Sequence, residues 1–171
     1  AIDFEEVYRE VQKAIAERKD LLEEQMRCFI NTADDYFEYR IGEAKLLDQY
    51  TVEIATPGHN EIVHADHIIL ATGSKPRYLP ELPIDEKIIM TSDGIEHMST
   101  FPESLVIVGA GVIGCEYATI FSSFGHTKVY LIDKGARILP FEDEDVVDII
   151  QQNMESNGVV IQHQSKLADM K

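Results

Sequence analysis

Residues 104–133 read Ser-Leu-Val-Ile-Val-Gly-Ala-Gly-Val-Ile-Gly-Cys-Glu-Tyr-Ala-Thr-Ile-Phe-Ser-Ser-Phe-Gly-His-Thr-Lys-Val-Tyr-Leu-Ile-Asp. Leu105 to Val108 form a short run rich in β-branched residues, as expected of a parallel strand buried on both faces. Gly109 permits a tight turn out of that strand. Gly111 lacks a Cβ, so a bulky anion can come close to the backbone, and Gly114 lets the next helix lie against the sheet. The spacing predicts that helix from Val112 to about Phe124, its free N–H groups and positive dipole end facing the turn, with Gly125 as a left-handed cap. A second apolar strand, Val129 to Ile132, delivers Asp133 19 residues past Gly114, close to the roughly 20 at which a carboxylate reaches a ribose.

A glycine triplet of this spacing on its own also fits a turn in an unrelated α/β domain. Here strand, turn, helix, cap and acid occur in the order a dinucleotide site needs, so Gly109, Ala110, Gly111, Val112, Ile113, Gly114 and Asp133 are expected to hold a nicotinamide nucleotide. Asp133 points to NAD, because a carboxylate beside a 2'-phosphate repels it. Lys134 and Arg137 are either cations able to turn toward such a phosphate or solvated charges at a strand end, which leaves NADP open.

A second signal is His67-Ile-Ile-Leu-Ala-Thr-Gly-Ser-Lys-Pro-Arg-Tyr-Leu-Pro80. Ile68 to Leu70 predict another short buried strand, and Ala71, Thr72 and Gly73 are small enough for close approach by a ligand or another backbone. Pro76 and Pro80 force an extended exit. By itself the segment reads first as a plain strand-to-turn exit.

Together the two segments resemble the pyridine nucleotide-disulfide oxidoreductase family of flavoenzymes, in which an Ala-Thr-Gly strand end closes the FAD domain and a GxGxxG unit opens an inserted NAD(P) domain. The similarity extends to Gly42-Glu43-Ala44, to Thr51-Val-Glu-Ile, and to residues 111–121 and 158–163, so it covers nearly the whole chain. It implies FAD contacts at Glu43, Ala44, Ala71, Thr72 and Gly73 and NAD(P) contacts at the glycine turn and Asp133, with Lys134 and Arg137 as the candidate cations beside it. It also implies that Glu116 lies beside the nicotinamide, although an acid early in a helix is favoured by the dipole alone. The implied activity is hydride transfer between NADPH and NAD through FAD, with disulfide reduction as the alternative within the family.

The sequence also departs from the family pattern. No second GxGxxG precedes residue 109, Val112 stands where several members carry a tyrosine lid, and the lysine partner of Glu116 has no counterpart. Cys28 and Cys115, 87 residues apart, do not form a local CxxxxC dithiol and suit small apolar positions. These departures suggest an internal piece of a longer enzyme, inactive alone, whose parent is a homodimer. A catalytically silent nucleotide sensor would use the same turn without flavin. A methyltransferase would leave the Ala-Thr-Gly segment unexplained.

With 171 residues, 44% hydrophobic content and a net charge of −16, the chain is large enough for a core and too acidic to favour nucleic acid or an anionic membrane. The cysteines suit a reducing compartment, so cytoplasm is the expectation. Asp3 with Glu6 has capping-box spacing at the head of a long helix. Its apolar pairs Val7/Tyr8, Ala14/Ile15, Leu21/Leu22 and Cys28/Phe29 recur every seven residues, a stripe suited to packing on the flavin domain, with a coiled-coil seam as the rival. After Asn31-Thr-Ala-Asp-Asp, strands are expected at 36–41, 45–47, 51–55 and 61–64, with a Pro57-Gly58 turn. Among His64, Asp66 and His67, alternation along a strand separates His64 from His67 onto opposite faces and no further ligands cluster nearby, so no metal is expected. An acidic helix start at Glu142, a buried side of Val146, Val147, Ile150 and Met154, and a strand at 159–162 complete the pattern.

The expected fold is α/β. A partial FAD-domain segment of long helix and β meander (1–80) leads through a crossover linker (81–103) into half of a doubly wound Rossmann NAD(P)-binding domain (104–171).

Overall fold

The computed structural model describes residues 2–32, 36–80 and 82–165. They form two compact units: Glu10 to Lys75, and the residues up to Arg9 together with those from Pro76 onward. Residues 33–35 and those after Ser165 lie outside the described residues.

The chain opens with helix α1 (Phe4–Thr32). Asp3 begins it, accepting the Glu5 N–H at 3.2 Å through its side chain and the Val7 N–H at 3.1 Å through its carbonyl. In the Glu10–Lys75 unit, strands β1 (Glu43–Leu46), β2 (Thr51–Thr56) and β3 (His59–His64) make an antiparallel meander. Pro57 and Gly58 join β2 to β3 in register from Thr51↔His64 to Thr56↔His59, and Gly58 takes the positive φ (+84°) that the two-residue turn requires.

Two expected strands do not form. Residues 37–41 carry no ladder, and Tyr36 and Ile41 are exposed. Residues 68–70 are also irregular, with Ile69 89% and Leu70 69% exposed. A buried parallel strand needs a neighbour on each edge and a layer on each face, and among the described residues nothing supplies them for Ile68 to Leu70.

In the other unit, β4 (Ser104–Val108), β5 (Lys128–Ile132) and β6 (Val160–Gln162) form a parallel sheet in that order, linked by helices α2 (Val112–Ser123) and α3 (Glu144–Ser156). The register aligns Leu105 with Val129 and Ile107 with Leu131, and then Leu131 with Ile161. These residues share one face and pack into the core with Ala118, Phe121, Val147 and Met154. Both crossovers step the same way across the sheet, so right-handed connections place both helices on this one face. The opposite face carries Val106, Val108 and Val160, with Val106 54% and Val108 48% exposed. The expectation that β4 is buried on both faces is therefore corrected: it is covered on one.

Helix ends follow the expected chemistry. Asp143 caps α3 by accepting the Asp145 N–H at 3.1 Å, and Gly125 and Gly158 follow α2 and α3 with φ of +72° and +87°. Val146, expected on the buried side of α3, faces outward, while Val147 and Met154 are buried. Part of the expected 81–103 linker belongs to this core: Ile95, Met98 and Phe101 pack against it.

Candidate nucleotide-binding site

The site forms where β4 and β5 end. Gly109 leaves β4 with φ +110°, a conformation natural to glycine, while its N–H still bonds the Ile132 carbonyl at 2.8 Å. A Cβ on Gly114 would overlap the Gly109 carbonyl oxygen and press the Ile107 side chain, so glycine there lets α2 meet the strand. At Gly111 the opposite holds: a Cβ would meet no atom within 4 Å. The turn is therefore open on the side where the sequence expected a pyrophosphate. The first N–H groups of α2, those of Val112, Ile113 and Gly114, lack intrahelical acceptors by geometry, and the helix dipole adds positive potential at the same end.

Asp133 closes the arrangement. Its Oδ2 accepts the Ala110 N–H at 2.8 Å, across the mouth of the turn, and its Oδ1 accepts the Gly135 N–H at 2.5 Å. The Asp133 backbone is fixed as well, its N–H bonding the Gln162 carbonyl and its carbonyl accepting the Ser165 N–H, both at 3.0 Å. The acid thus faces the glycine turn.

Other residues at this end were less legible. Ala110 is buried, and its carbonyl accepts the Leu139 N–H at 2.8 Å. Leu139 adopts φ +44°, a left-handed conformation costly for leucine and held here by that bond and by the Glu142 N–H on its own carbonyl. Ile138 is fully buried beside it. The available signal was an apolar pair, Ile138-Leu139, inside an otherwise charged loop. Arg137 donates from Nη2 to the carbonyls of Pro140 (2.9 Å) and Glu142 (3.1 Å), and its Nη1 lies 3.8 Å from Glu144. Lys134 and Glu116 are exposed.

Cys115, just behind the turn, is buried, with its thiol 3.6 Å from the Ala110 carbonyl. Burial, with the nearby Asp133 charge second, pushes the thiol up to about 11. A thiol so held stays protonated and unreactive near neutrality.

The residues tied to FAD by resemblance are less gathered. Glu43 and Ala44 lie on exposed β1, and Ala71 to Gly73 are in irregular backbone with Gly73 at φ +71°. Gly42 has a local reason to be glycine, since a Cβ would press on the Ile54 side chain and the Ala55 carbonyl. His64 bonds Thr51 at 3.1 Å, and among the described residues no group of three metal-ligating side chains occurs. No helix among them is long and apolar enough to cross a membrane.

A parallel β-α-β-α-β unit with an open glycine turn and an acid bonded across it defines a dinucleotide-binding protein of the Rossmann class. The profile described as pyridine nucleotide-disulphide oxidoreductase matches residues 4–171, and the chain belongs to that family. It is 38% identical over 130 residues to the soluble pyridine nucleotide transhydrogenase of Marinobacter nauticus, covering 76% of this chain and 28% of that protein. It is 40% identical over 126 residues to the dihydrolipoyl dehydrogenase of Bacillus subtilis, covering 74% and 27%. The chain thus spans about a quarter of the length of these relatives. Among solved structures, LpdA of Mycobacterium tuberculosis shares its fold at a TM-score of 0.81 and 22% identity, over 99% of this chain and 37% of that one. The HOCl-induced flavoprotein disulfide reductase RclA of Escherichia coli does so at 0.70 and 24%, over 97% and 36%.

Proposed function

We propose that this chain is the nucleotide-handling part of an FAD-dependent pyridine nucleotide oxidoreductase that passes hydride between a nicotinamide and a flavin. The observation that carries this is the open turn at Gly111 bridged by the bond from the Ala110 N–H to Asp133. The start of α2 receives the pyrophosphate on backbone N–H groups, with no basic side chain. Asp133 accepts ribose hydroxyls through lone pairs its amide partners leave free. Glu116 lies beside the nicotinamide, and Glu43, Ala44, Ala71, Thr72 and Gly73 border the FAD. When bound, the cofactors supply the redox chemistry and the protein supplies position and exclusion of water.

Two acceptor chemistries fit the relatives. The first is transhydrogenation, moving hydride between NADPH and NAD through FAD. The second is disulfide reduction of the dihydrolipoyl dehydrogenase kind. The protein acts as a cytoplasmic homodimer.

Anaerobic titration of the FAD-loaded protein with NADH provides the test. Bleaching of the flavin absorption band is the expected result. A protein that binds NADH but takes up no FAD would instead be a nucleotide sensor, and the redox proposal would fail.

A further inference from the structure

Three consecutive peptides shape the glycine turn, and a different hydrogen bond fixes each. The first presents the Ala110 N–H to Asp133 Oδ2 at 2.8 Å. The last offers the Gly111 carbonyl to the Cys115 N–H at 3.0 Å, the opening bond of α2. The middle one, between Ala110 and Gly111, is held from the loop after β5: its carbonyl accepts the Leu139 N–H at 2.8 Å, with the Cys115 thiol 3.6 Å away as a weaker donor.

We infer that Leu139 is a positioning residue for the nucleotide, because its left-handed bend aims the middle peptide so that the Gly111 N–H meets a phosphate oxygen. The inference rests on the nucleotide site proposed above and deepens it by naming what keeps the turn ready. In a trans peptide the carbonyl and the following N–H point in opposite directions, and the described residues contain no cis bond. The Ala110 carbonyl points toward Leu139, which is buried, so the N–H of the exposed Gly111 points away from the core. Were that carbonyl released, the peptide could rotate and the N–H would lose its aim.

Leucine is a poor occupant of this bend on conformational grounds. A φ of +44° is open to glycine and tolerated by asparagine, whereas a side chain such as leucine's crowds the backbone there. Three restraints keep it in place: the N–H on the Ala110 carbonyl, the carbonyl accepting the Glu142 N–H at 3.0 Å, and a side chain in the core only 8% exposed, next to the fully enclosed Ile138. The apolar pair anchors the loop, and the bend directs the N–H. A residue held at a costly backbone angle by its surroundings is where a functional constraint is expected. Here the atom it serves, the Ala110 carbonyl oxygen, belongs to the turn itself.

Two substitutions separate conformation from packing, with NADH affinity read by calorimetry on the folded protein and stability by urea unfolding. Leu139→Val keeps most of the apolar volume but resists a positive φ, which β-branched side chains tolerate least. It should weaken NADH binding about tenfold, as the loss of one charge-assisted hydrogen bond would. Leu139→Gly empties the pocket yet adopts the bend without strain. Its affinity should stay within about threefold of the unmodified protein, while its unfolding midpoint falls. A purely structural role predicts the reverse, with affinity declining from leucine through valine to glycine. That order, equal weakening in both variants, or no change in Leu139→Val would overturn the assignment. Should Leu139→Val fail to fold, hydrogen exchange in the unmodified protein decides. The Leu139 amide should be protected on the order of a hundredfold before ligand is added, and the Gly111 amide should slow only when NADH is present. A Leu139 amide that exchanges freely, or a Gly111 amide indifferent to bound NADH, would also overturn it. Failure of the unmodified protein to bind NADH is a separate outcome, which overturns the nucleotide site and the inference with it.

Discussion

In the sheet unit, Leu131 and Ile138 are wholly enclosed, and Val129 and Val147 nearly so. In the helix-and-meander unit, Val11, Ile15, Leu22, Met26 and Ile30 line an open apolar groove with Tyr39 and Ile41, and Ile69 stands almost fully exposed. The sheet unit forms each strand its apolar runs lead one to expect, whereas in the helix-and-meander unit residues 37–41 and 68–70 stay irregular. The units also differ in having a second layer: α2 and α3 cover one face of the parallel sheet, while Val11, Ile15 and Leu22 of the α1 stripe stay about half exposed. Periodicity determines which element forms, and burial depends on whether another element is there to meet it. The same lesson holds within one sheet, where Leu105 and Ile107 pack and Val106 and Val108 do not.

The sharpest way to break this comparison is to truncate one leucine in each unit. Leu131→Ala removes a fully buried side chain from the middle of β5 and should cost about 2–5 kcal/mol in urea unfolding, the range for core leucines that leave a cavity. Leu22→Ala, on the exposed stripe of α1, should change stability by no more than about 0.5 kcal/mol, since alanine also favours a helix. Similar losses for the two would show that α1 is as well covered in solution as β5, and the contrast would vanish.

A smaller effect separates folding from binding. At Gly114 a Cβ meets protein, whereas at Gly111 it meets open space. Gly111→Ala should therefore leave the unfolding midpoint nearly unchanged and weaken NADH binding by about tenfold, or about 1.4 kcal/mol. Unaltered affinity by calorimetry would mean that no pyrophosphate lies over this turn. A large loss of stability would mean that the space is used by the protein.

How far the sequence reveals this molecule follows the same division. The elements from β4 to β6 were legible because each glycine and each apolar run there has a local mechanical reason, and the caps at Asp143, Gly125 and Gly158 obey short-range rules. The strand expected at Ile68 to Leu70 was misleading because an apolar run states a preference for burial without naming its partner. The orientation of Asp133 could be anticipated from spacing. Its bond to Ala110 could not, since the bond links residues 23 apart in sequence and depends on sheet register. The engagement of Arg137 was hidden for a related reason: its acceptors are backbone carbonyls, which every residue possesses and no motif marks.

The least disruptive probe is pH, and Cys115 supplies it. Burial raises this thiol from 9.0 to about 11, so between those values the folded protein holds a proton that the unfolded chain releases. The unfolded state then binds fewer protons, and stability must fall as pH rises through that window. Below about pH 9 the contribution is fully present and stability should be insensitive to this group. Cys115→Ala should flatten the decline measured by unfolding at pH 8.5, 9.5 and 10.5, values chosen on the order of one unit apart to bracket the two titrations. Alkylation gives the kinetic counterpart: Cys28, exposed on α1, should react in the native protein at pH 8, while Cys115 should react only after denaturant opens the core. If Cys115 is modified as readily as Cys28 under native conditions, the end of the sheet that carries the glycine turn opens as freely as the stripe on α1, and the distinction between an enclosed and an uncovered unit fails where it matters most for holding a nucleotide.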